Sequence, residues 1–251
     1  MKTLSNYVAL STLSIAVIAM SLTVSTVIVS AAPKESAFCT NLTTTISKID
    51  TNFANLKSKL ATSRVNRDLA IANNHAKWDQ QLKDSRTKWD QQRNDNFTKL
   101  EGRAKTAAQT SAVKTYETAI QNAVSIRRSA NDAARATYRT GVDNALVSQR
   151  GITDGQLATF STSVASAEAT AQAGCQAMPS NGSSLRTSFQ ASMKSARGTY
   201  TAARKADGNI SSQIKQLAAT RNASFQANDA AFKVATDSAR VALKAAFGKN
   251  A

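Results

Sequence analysis

From residue 39 onward, apolar side chains recur at spacings of three and four. Cys39, Leu42, Ile46, Ile49, Phe53, Leu56 and Leu60 form the first stripe, the heptad seam by which one helix packs on another. After Leu60 the period lengthens. Leu60, Ile71 and Leu82 recur every eleven residues, as do Trp78, Trp89 and Leu100. An eleven-residue repeat is about 3.67 residues per turn and relaxes a left-handed supercoil. The same stretch carries an imperfect direct repeat, KWDQQ at Lys77 to Gln81 and again at Lys88 to Gln92. Asp79 with Lys83, Asp84 with Lys88 and Asp95 with Lys99 stand at i,i+4 with the acid first, a spacing that supports an exposed helix face.

A second stripe runs Tyr116, Ile120, Val124, Ala134, Tyr138, Val142, Leu146, then Leu157, Phe160, Val164, Ala171, Cys175. Leu100 and Tyr116 are about 160° out of phase at 100° per residue, which a turn near Gly102 explains. Gly151 and Gly155 interrupt the second stripe, with Asp154 placed to cap a restart. Pro179-Ser180-Asn181-Gly182 is the strongest break signal. A third stripe, from Leu185 and Phe189 through Met193, Tyr200, Ile210, Ile214, Leu217, Phe225, Phe232 and Leu243 to Phe247, keeps its phase across Asp207-Gly208-Asn209. That site reads as a kink.

The predicted fold is therefore all-α: an elongated antiparallel three-helix bundle or coiled coil. Its helices span about 36–101, 104–174 (kinked near 151–155) and 184–247 (kinked near 208), each roughly 100 Å long. In a hairpin turning at Gly102, Cys39 and Cys175 meet at one end on inward-facing stripes and are expected to form a disulfide. A competing arrangement runs 36–150 as one helix with a shorter C-terminal hairpin. It would hold the cysteines far beyond the roughly 4.4–6.8 Å Cα separation a disulfide needs.

Residues 1–32 are different in kind. Lys2 is the first charge and Lys34 the next, with an apolar, hydroxyl-studded run from Tyr7 to Ala32 between them. This is a signal peptide or an N-terminal transmembrane anchor. Val29-Ser30-Ala31 fits a signal-peptidase site with cleavage after Ala31; cleavage after Ala32 would leave Pro33 beside the scissile bond. Either route makes 33–251 an extracytoplasmic domain, and two cysteines suit an oxidising compartment. The formal net charge of +16, from 32 Lys and Arg against 16 Asp and Glu, favours polyanionic partners. Residues 151–185 contain no Lys or Arg.

Candidate chemistry is sparse, and the expectation is a protein that is not an enzyme and holds no cofactor or metal. His75 is the single histidine and reads as solvated. Trp78 and Trp89 read as core, with a ligand-stacking platform as the alternative. Ser85 with Lys88 and Ser212 with Lys215 match Ser-x-x-Lys by chance in a serine-rich chain. Asn41, Asn96, Asn181 and Asn222 open glycosylation-acceptor triplets. The apolar N-terminus, Phe38-Cys39, the KWDQQ repeats, Cys175 and Leu217-Ala218-Ala219-Thr220-Arg221 together resemble a group of exported helical coiled-coil proteins of very small bacteria, which implies no activity. The functional expectation is a basic helical stalk, secreted or membrane-anchored. It would contact anionic envelope polymers or the membrane surface, and other envelope proteins, but no specific nucleic acid. The alternative is a periplasmic holdase that binds unfolded envelope proteins.

Overall fold

A computed structural model describes residues 36–208 and 210–248. The segment expected to be a signal peptide or anchor, with its candidate cleavage positions Ala31 and Ala32, lies outside the described residues. Among those described there is no strand, and the chain is a helical bundle of α1 (Ala37–Glu101), α2 (Ala107–Ala177), α3 (Gly182–Ala206) and α4 (Ile210–Phe247). No described helix is long and apolar enough to cross a membrane.

Local chemistry accounts for the helix ends. The Ser36 hydroxyl accepts from the Cys39 amide at 3.3 Å at the start of α1. Thr106 does the same for the Gln109 amide at 3.2 Å, while the Gln109 side chain accepts from the Lys105 amide at 2.8 Å. This near-reciprocal capping box starts α2. Gly102 and Arg103 make the turn before it, donating to the carbonyls of Thr98 and Leu100.

α2 is helical through Gly151 and Gly155, because two glycines lower helix propensity without removing a hydrogen-bond donor. One expectation about helix continuity is corrected. The expected kink near 208 is a full interruption, with α3 ending at Ala206 and α4 starting at Ile210. Asp207 leaves the helix at φ −57°, ψ 127°, and its carboxylate is held there by Arg204 at 2.9 Å and by the Gln156 amide.

The chain divides into two compact units. In the first, made of 36–51 and Gln149–Ser212, the buried side chains are Cys39, Leu42 and Ile49 of α1, Leu157, Val164, Ala167 and Ala171 of α2, and Phe189, Met193 and Ala196 of α3. Leu185 lies over the bare Cα of Gly174. Phe160 stacks on Tyr200 at 5.0 Å, and Phe38 meets Phe189 at 6.1 Å. The disulfide joins Cys39 to Cys175 across a sequence separation of 136, with a Cα–Cα distance of 5.5 Å. Glu168 is buried beside this core and one of its carboxylate oxygens has no hydrogen-bond partner. Burial first, and the Asp50 charge second, push its pKa up.

In the second unit, Asn52–Ser148 with 213–248, Phe97, Ile120 and Ala239 bring α1, α2 and α4 together, and Tyr116 packs edge-on to Phe97 at 6.2 Å. Val113 is the most completely buried large side chain, at 1% exposure. Leu217 of α4 fills the space over Gly141 of α2. The α2–α4 seam is otherwise built from arginine on aromatic rings: Arg127 over Phe232, Arg135 over Phe225, and Arg221 over Tyr138 at 4.5 Å. Asn228 donates to Asn131 at 2.9 Å, and Arg127 pairs with Asp229 at 2.7 Å.

Candidate functional site

The KWDQQ repeat places one aspartate per copy toward α2. Eleven residues are three helical turns and about 20°, so Asp79 and Asp90 occupy nearly the same edge of α1. α2 answers at the same interval. Arg139 donates both terminal nitrogens to the two Asp79 carboxylate oxygens at 2.9 and 2.6 Å. Arg128 does the same to Asp90 at 2.9 and 2.6 Å. Between them the polarity reverses, with Arg86 of α1 donating to Asp132 of α2 at 2.7 Å. Arg135 also reaches Asp132 at 2.6 Å, and Arg93 reaches Asp90 at 2.7 Å. As the α1 partner moves up by seven and then four residues, the α2 partner moves down by the same steps. Asp79 thus takes Arg139 and not the Lys83 expected from its own helix. Asp84 and Asp95 accept from Gln80 and Gln91 at 2.8 and 3.2 Å.

These pairs line an open groove of about 730 Å³, whose walls include Lys83, Arg86, Arg128, Arg135 and Arg139 beside Asp79, Asp90 and Asp132. Five cations face three anions. The hydrogen bond from Arg139 is the main reason the Asp79 carboxyl titrates below its ordinary value, and that from Arg128 does the same for Asp90. The arginine forks are already filled by carboxylates, so an incoming anion would have to displace an aspartate. The groove's first chemical role is to fix the register of α1 on α2, since fork-to-fork pairs demand a defined geometry.

The charge free to meet a partner lies elsewhere. All fourteen described lysines are exposed, whereas thirteen of the fifteen arginines are half-buried, Arg103 and Arg240 being the exposed two. The planar, weakly hydrated guanidinium suits seams and aromatic faces, while the ammonium keeps its water. Sequence reasoning summed the two residue types into one basic surface.

His75, read as solvated, is half-buried and sits 6.0 Å from the Trp78 ring. Burial, then the Arg139 charge, lower its pKa. Among the described residues no group of three or more His, Cys, Asp or Glu is placed to hold a metal ion. Trp78 and Trp89, read as core, are 39% and 58% exposed. Their column lies about 40° round the helix from that of Ile71 and Leu82, beyond the strip that the neighbouring helices cover. Phe97 and Val113, absent from the predicted stripes, are buried instead. Compared with known protein families, curated proteins and solved structures, the chain matches none.

Proposed function

We propose that this chain is a non-enzymatic structural and interaction protein of the extracytoplasmic space, an antiparallel coiled coil whose lysine surface contacts anionic envelope polymers. On this reading the N-terminal apolar segment exports it, and either leaves it anchored or is removed. The observation that carries the reading is the division of cations: thirteen of the fifteen arginines are half-buried, and all fourteen described lysines stand in solvent. A surface of solvated ammonium groups, on a chain whose formal net charge is +16, draws polyanions without demanding one sequence or shape. The opposed running of the Asp79–Arg139, Arg86–Asp132 and Asp90–Arg128 partners supports the antiparallel reading. The Cys39–Cys175 bond is in keeping with an oxidising compartment.

Co-sedimentation with purified anionic wall material tests the proposal. Binding at low salt that falls steeply as salt rises is the expected result. Binding indifferent to salt, or none, would remove it. Suppression of aggregation of a denatured client, without salt-sensitive binding, would point to the holdase alternative.

A further inference from the structure

The two tryptophans of the repeat are the chain's only ones, and both present ring surface to solvent. Around them the repeat builds a regular face on α1. Lys77, Lys88 and Lys99 form one column at eleven-residue steps, Gln81 and Gln92 a second about 40° round the helix, and Trp78 and Trp89 a third about 100° round. All seven side chains are exposed. Successive copies are about 16 Å apart along the helix axis. Asp79 and Asp90 are engaged by the arginines of α2, while Asp84 and Asp95 stand exposed beside the lysines, four residues before Lys88 and Lys99, and accept from Gln80 and Gln91.

We infer that this Lys-Trp-Gln face is a binding site for a linear acidic polysaccharide. Each element of the face has a counterpart in such a ligand. The indole plane accepts the C–H face of a sugar ring, the carboxamide exchanges hydrogen bonds with its hydroxyls, and the ammonium meets its carboxylate or phosphate. A site that repeats along one axis suits a ligand that also repeats along one axis. A lipid surface would ask for a continuous apolar face, and here the carboxamide and ammonium columns interrupt it. A second copy of this chain would set lysine column against a protein of like charge.

The inference rests on the polyanion reading above and narrows it to one face and one chemistry. Because Trp78 and Trp89 are the sole tryptophans, fluorescence excited in the indole band reports on this face alone. Full-length protein would be titrated with polygalacturonate, and separately with polyphosphate, single-stranded DNA and phosphatidylglycerol vesicles. Polygalacturonate should change the indole emission. The Trp78→Ala/Trp89→Ala variant, followed by sedimentation, should bind it at least about tenfold more weakly while holding polyphosphate as the parent does. Circular dichroism checks that the variant keeps the fold. Equal affinity of variant and parent for polygalacturonate overturns the inference, and salt-sensitive binding of both would leave the broader reading standing. An emission change with DNA or vesicles alone, or one that tracks protein concentration without ligand, also overturns it. Failure of the parent to bind any polyanion overturns both.

Discussion

Arginine and lysine carry the same formal charge here and do different work. Arg139 and Arg128 each give two parallel hydrogen bonds to one aspartate, a geometry no lysine can reproduce. Arg139→Lys should therefore weaken the α1–α2 seam. A double-mutant cycle with Asp79→Asn in urea unfolding is expected to show a coupling of about 0.5–1 kcal/mol, the size of a partly exposed pair. Zero coupling would reduce the pair to a surface coincidence. The carboxyls also set opposite pH trends. Asp79 and Asp90 titrate below their ordinary 3.8. The unfolded chain thus binds more protons in acid, and their contribution is full above that value and lost as pH falls through the lower folded values. Glu168 titrates above its ordinary 4.5. Its fold binds more protons than the unfolded chain, so stability falls as pH rises from that value through the raised one. Glu168→Gln should stabilise the protein by about 1 kcal/mol at pH 7 and by much less near pH 4, read from urea midpoints at both. A variant destabilised equally at both would contradict the burial argument.

At the level of the helix, glycine has two meanings in α2. Gly141 faces Leu217, and a Cβ there would lie 2.7 Å from its Cδ2 atom. Gly151 and Gly155 face open space, with nothing within 4 Å. Alanine at either of these two should raise stability by about 0.5–1 kcal/mol, through lower backbone entropy in the unfolded chain. At Gly141 the same propensity gain is offset by displacement of Leu217, so the variant should be neutral or destabilised. Thermal unfolding of the three single variants separates the cases. In the sequence all three are glycines within one helical run, and only the neighbour on α4 distinguishes them. Thr106 and Gln109, by contrast, have the spacing of a capping box in the sequence itself, and that signal marks the α2 start better than Gly102 does. The interruption at Asp207 is less legible. The apolar phase persists across it, and the partners that hold it, Arg204 and Gln156, come from two different helices.

For the molecule as a whole, the 136-residue span closed by Cys39 and Cys175 is the largest single constraint on the unfolded chain. Loop-closure entropy assigns such a bridge about 5 kcal/mol. Reduction should lower the urea midpoint accordingly, and hydrogen exchange should show the loss first in 37–51 and 165–190, around the bridge. Reduction without effect would mean that the packing of Leu42, Ile49, Phe189 and Met193 already fixes this unit.

Taken alone, the sequence determined the helices and the pairing of the two cysteines, because three- and four-residue spacing sets which side of a helix is apolar and helix length sets where its ends meet. It also determined the total charge. Only the tertiary structure decided how that charge is divided and how wide the buried strip is. A period fixes the angle between two columns of side chains, but the breadth of cover depends on where the next helix lies. Hence Trp78 and Trp89, about 40° from a packed column, stand in solvent, while Arg128 and Arg139, hydrophilic by any scale, form the seam.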